Sequence, residues 1–152
     1  MLETPHVTVG AAIASKIPNP LIAIPLAFAS HFVLERVPHW NPHLNREIKK
    51  FGKVTTLSTV IVIADVATSL IIGFYFASQK SINNTHYLAI LASSFASVLP
   101  DVIEGPYFYL KVRGKLIERW ISFQKSLQED APIVPGLATQ ILTILACFYW
   151  VF

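Results

Sequence analysis

The sequence predicts an all-α fold: a polytopic membrane bundle of about four spanning helices, with a short N-terminal helix and an interfacial amphipathic helix. Three observations carry this. Apolar residues make up 53% of the 152-residue chain and charged residues only 14%, against roughly 25% charged in an ordinary soluble domain. A soluble chain of this size must keep much of its surface polar, so lipid is the expected solvent. Two stretches, 54–78 and 132–152, contain a single charge between them, Asp65, and each exceeds the roughly 20 residues that a bilayer crossing needs. The cations, finally, are grouped rather than spread. Residues 1–152 are expected to form a single integral membrane domain.

The elements follow in order. Thr4-Pro5 reads as an N-cap with proline at the first helical position, opening a helix to residue 17 that is rich in small residues (Gly10, Ala11, Ala12, Ala14). At roughly 21 Å it is too short for a ~30 Å hydrocarbon core. Pro18-Asn19-Pro20 forms a turn, with Asn19 capping a second helix to residue 37 that Pro25 bends and Pro38 stops. Residues 54–78 form the clearest span. Residues 85–100 predict a further helix, tight in alanine and serine and ended by Pro100; a broken segment with Asp101 and Glu104 follows. Helical periodicity with a polar face marks 115–129 as interfacial. Tyr107, Phe108, Tyr109 and Trp120 suit the headgroup level. Residues 132–152 form the last span.

Of twelve Lys and Arg, five lie within 36–53 and five within 111–125. The positive-inside rule puts both segments in the cytoplasm, and the two spans between them give the required parity. A multi-pass protein of the inner membrane is expected. No basic run interleaved with aromatics suggests nucleic acid. The first 15 residues hold no Lys or Arg, so no secretory signal is expected. Cys147 is alone, which excludes a disulfide framework. The lack of a large soluble domain is compatible with a homo-oligomer.

Candidate functional residues gather at the cytoplasmic ends of these helices. His31 and Glu35, four apart, share one helix face with Cβ atoms roughly 5–6 Å apart. Asp65 is a carboxylate near mid-span, which costs about 2.5–3.5 kcal/mol on insertion scales. With His6 and Asp101 these form the candidate metal ligands: His6, His31, Glu35, Asp65 and Asp101. His39 and Glu104 are the candidate catalytic groups. Imidazole nitrogen and carboxylate oxygen bind zinc, and mixed sets also accept manganese or iron; five candidates would serve two ions. The plainer alternatives are a protonated Asp65 joining two helices and a His31–Glu35 pair satisfied by Arg36. His43 and His86 read as loop residues without partners. No nucleophile elbow, Cys–His pair or P-loop offers rival chemistry.

At Thr4-Pro5-His6 before Gly10-Ala11-Ala12, at the Ser-His-x-x-x-acid-x-x-Pro-His stretch from Ser30 to His39, and at Leu99-Pro100-Asp101, the chain resembles the integral-membrane metal-dependent hydrolases of bacteria and archaea. These are small helical proteins distantly similar to zinc-dependent phospholipase C and S1/P1-type nucleases. The resemblance implies metal-activated water attacking a phosphoester, with His6, His31, Glu35, Asp65 and Asp101 as ligands. A lipid or amphiphile substrate is expected, because headgroup phosphates lie at this depth. Two other functions remain open: a cation or proton conductor with Asp65 as relay, and a non-catalytic membrane module.

Overall fold

The computed structural model describes residues 1–152 and is all-helical, with eight helices and no strands: α1 (Glu3–Lys16), α2 (Pro20–Leu34), α3 (Leu44–Phe51), α4 (Thr56–Lys80), α5 (Asn84–Val102), α6 (Gly105–Tyr109), α7 (Lys115–Leu127) and α8 (Ile133–Val151). Two of them, α4 with 25 residues and α8 with 19, are long and apolar enough to cross a membrane, fewer than the four expected. The shortfall has simple causes. With only 15 residues, α2 stops at Leu34 rather than at residue 37. The serines and the histidine of α5 lower its hydropathy although it, too, has 19 residues.

The shortest of the expected membrane segments turns out to be the centre. Thr4, Pro5, His6, Val7, Thr8, Gly10, Ala11, Ala12 and Ala14 of α1 are all buried, with α2, α4, α5 and α8 packed around them. Small side chains allow this close approach. A Cβ added at Gly10 would lie 2.7 Å from the Ser93 carbonyl oxygen and 2.8 Å from Ser97 Oγ on α5. Gly10→Ala is therefore expected to cost about 1–3 kcal/mol, the usual range for overpacking, read as a lower unfolding midpoint in detergent. Ser94 and Ser97 stay cheap to bury because their hydroxyls donate to the carbonyls of Ile90 and Ser94 within the helix (2.8 and 2.7 Å).

Two further boundaries and one additional helix differ from expectation. Thr4 is not the cap of α1; the helix starts after Leu2, which offers no side-chain cap, and Asp65 from α4 takes that role. Pro100 does not end α5. A proline removes only its own N–H bond and disturbs the turn before it, and beyond it the Ile103 N–H still donates to the Leu99 carbonyl (3.1 Å). Asp101 is accordingly helical. The cationic stretch after Pro42 contains α3, whose Glu47 accepts from the Thr55 N–H, the Thr55 hydroxyl and the Ser58 hydroxyl (2.8, 3.0 and 2.7 Å), so tying α3 to the start of α4. Asn19 caps α2 as expected, accepting from the Leu21 N–H at 3.0 Å.

One stripe of α2 sets up the site. Ala23, Ala27 and His31 recur every four residues and are its three buried positions. Glu35, the next step along, is buried as well. The Glu35 N–H donates to the His31 carbonyl (3.0 Å), so the helical register carries through to the carboxylate.

Candidate metal centre

Four side chains from three helices, one of them at a helix end, meet in a single cluster. His6 comes from α1, His31 from α2, Glu35 from the C-cap of α2 and Asp101 from the last turn of α5. One ligand atom from each lies within 4.8 Å of the other three. His6, His31 and Glu35 are buried, at 0%, 0% and 1% exposure. The two imidazoles stack, with ring centroids 4.2 Å apart.

Hydrogen bonds orient these rings for ligation. His31 Nδ1 lies 2.9 Å from the Ser97 carbonyl oxygen, an acceptor only, so Nδ1 carries the proton. Its Nε2 lone pair then faces Asp101 Oδ1 at 3.7 Å. This backbone-anchored tautomer is the arrangement that metal-binding histidines use. His6 Nε2 sits 3.2 Å from Glu35 Oε1, and Gln124 of α7 donates to Asp101 Oδ1 at 3.0 Å. The Trp120 indole N–H holds α7 against α5 by donating to the Pro100 carbonyl (3.0 Å).

Buried polar atoms normally find partners. Those without one here are His6 Nδ1, His31 Nε2, His39 Nε2, Glu3 Oε2, Glu104 Oε1, Gln124 Oε1 and Ser93 Oγ. All except Ser93 belong to the cluster or to residues beside it. Two imidazole nitrogens left without partners, beside the carboxylates of Glu35 and Asp101, make a mixed nitrogen and oxygen donor set that suits one tetrahedral divalent ion. The Met1 ammonium is ion-paired with Glu35 Oε1 inside the same pocket. A divalent ion that takes this oxygen must displace the ammonium or take its place once it is deprotonated.

Among the expected ligands, Asp65 stands apart from this group of four. Its carboxylate caps α1, accepting from the Glu3 N–H (2.5 Å), the Thr4 N–H (3.1 Å) and the Thr4 hydroxyl (2.5 Å). It does line the same cavity as Asp101. Of the candidate catalytic groups, His39 is held by a short parallel bridge between residue 39 and Asp130. Its Nδ1 bonds the Val37 carbonyl (2.8 Å) and its Nε2 faces Glu35 Oε2 at 3.7 Å. Burial, and then the Met1 ammonium, hold His39 below the usual imidazole range, so it is neutral at pH 7. Burial, followed by the negative charges of Asp101 and Glu35, pushes Glu104 up to about 8.

Several participants went unnoticed in the sequence. Glu3 lies three residues before His6, a spacing that puts both on one face of α1. Gln124 and the Ser97 carbonyl give no sequence signal, because their roles depend on how α5 and α7 pack. His86, expected in a loop without partners, is buried in α5; its Nε2 lies 2.8 Å from the Ala14 carbonyl oxygen and its Nδ1 accepts from the Ile82 N–H (3.2 Å). It is a helix-joining group. No protein-family model, curated protein or solved structure matches the chain.

Proposed function

We infer that the protein is a membrane-embedded, metal-dependent hydrolase that cleaves a phosphoester of a lipid or amphiphile at the cytoplasmic leaflet of a prokaryotic inner membrane. The observation that carries this is the convergence of His6, His31, Glu35 and Asp101 within 4.8 Å, at a cavity of about 630 Å³ that Asp101 also lines. These four residues would hold the ion. The balance of nitrogen and oxygen donors suits zinc first, with manganese or iron(II) also accommodated. When bound, such an ion supplies Lewis acidity and lowers the pKa of water.

The chain's own residues supply the rest. Glu35 and Asp101 provide the negative charge that retains a cation, and the Ser97 carbonyl and Gln124 fix their neighbours' orientation. His39, neutral and with Nε2 free, is suited to accept a proton. Glu104, with an unpartnered carboxyl oxygen on the cavity wall, is suited to return one to the leaving oxygen. A multi-pass topology, with α2 and α5 completing the bundle around α1, is supported by the outward apolar faces of α4 and α8: only 22% and 11% of their apolar windows are buried within the protein. The proton-relay alternative has less support, since Asp65 already accepts from three donors at its carboxylate.

The test is phosphate release from phospholipid vesicles by purified protein, with and without chelator. Glu104→Gln is expected to lower kcat by about 10²–10⁴-fold, the usual contribution of a general acid, with metal content unchanged. Because the proton must be on Glu104 for this step, wild-type activity should decline as pH rises through about 8. The variant should lose that decline.

A further inference from the structure

The cavity beside the cluster has two unlike halves. Val66, Leu70 and Phe74 line it from one stripe of α4, and Leu91, Phe95 and Val98 answer from one stripe of α5. The spacings of three and four keep each set on a single helix face. Towards the cytoplasmic end the wall becomes acidic, with Glu3, Asp65, Asp101 and Glu104, while Arg46 and Lys125 stand further along the lining. From Leu91 to Asp101 the trough runs roughly 15 Å along α5.

An apolar trough ending in carboxylates suits an amphiphile better than a polar solute, because the hydroxyls of Ser69 and Ser94 along it already donate to the Asp65 and Ile90 carbonyls. Val66, Leu70, Phe74 and Phe95 are 42%, 58%, 52% and 56% exposed, so the trough opens sideways, between the helices. A chain can enter it directly from a bilayer. At the acidic end a phosphate would be repelled by the carboxylates alone; a cation held by the neighbouring four residues, which share Asp101 with the trough, reverses that sign.

We propose that the α4–α5 trough holds one acyl chain of a phosphate-headed lipid, with the phosphate at the Asp101 end. The headgroup placement rests on the reading of the cluster as a cation site; the chain placement rests on the trough itself. α8 provides the contrast. Its Leu142, Leu145 and Tyr149 are exposed (63%, 57% and 92%) but line no part of this cavity, so they represent ordinary lipid contact.

The experiment uses the full chain in phosphatidylglycerol–phosphatidylethanolamine vesicles doped with a phospholipid that carries a photoreactive diazirine midway along one chain. Adducts are mapped by peptide mass spectrometry after illumination. The expected result is labelling of 62–74 and 91–98 several-fold above that of 142–149. Leu91→Trp should remove most of the trough adducts and leave those on α8 unchanged. Leu70→Trp, at a more exposed position, serves the same purpose if the first variant does not fold. Equal labelling of trough and α8, or trough labelling unchanged in a folded variant, overturns the proposal. Metal content measured on the same samples separates the two readings. Trough labelling without bound metal keeps the chain site and removes the hydrolase; bound metal without trough labelling does the reverse.

Discussion

Asp65→Ala is expected to destabilise the protein by about 2–4 kcal/mol, more than loss of a helix cap alone. Removing a cap costs roughly 0.5–2 kcal/mol, and stranding buried donors adds roughly 1–3 kcal/mol. The donors at risk are the Glu3 and Thr4 N–H groups and the Thr4 hydroxyl. Asp65→Asn keeps one acceptor oxygen and should lose less than half as much. Both variants should retain the metal content of the wild type if they fold. Thermal unfolding in detergent, read beside metal analysis, checks this. An undisturbed midpoint with lost metal would return Asp65 to the ligand set.

That residue also marks where sequence reasoning stopped. A carboxylate in the middle of a long apolar helix is visible to any reading of charge against hydropathy, and its importance was legible. Its role was not. Sequence alone does not say that α1 lies buried in the centre with its first turn pointing at α4, so a capping carboxylate and a ligating one look alike. The His31–Glu35 pair was legible because helical geometry is local: both residues continue the stripe begun by Ala23 and Ala27. His6 and Asp101 joined them as expected, although Asp101 arrives inside a helix that passes through Pro100. The two helices long and apolar enough to cross a membrane were plain from length and lack of charge. The other two expected spans are less plain, because α2 is short and α5 spends its small polar residues on packing against α1.

His31→Ala carries the largest expected effect on metal affinity. It removes one of the four proposed ligand atoms, and the Nε2 lost is one that Ser97 orients and that no other protein group satisfies. Loss of an outer partner typically costs about 10–100-fold in metal affinity, and Gln124→Ala, which removes the donor to Asp101, should fall in that range. His31→Ala should exceed it and abolish phosphate release. Titration with zinc in competition with a chromophoric chelator orders the three proteins. Equal affinity in His31→Ala and wild type would remove His31 from the ligand set.

His6, His31, Glu35 and Asp101 are expected to bind a single divalent ion together. Elemental analysis by inductively coupled plasma mass spectrometry of the purified full chain tests this directly. One ion per chain is the predicted result; a protein that carries none after purification and reconstitution with zinc would contradict it.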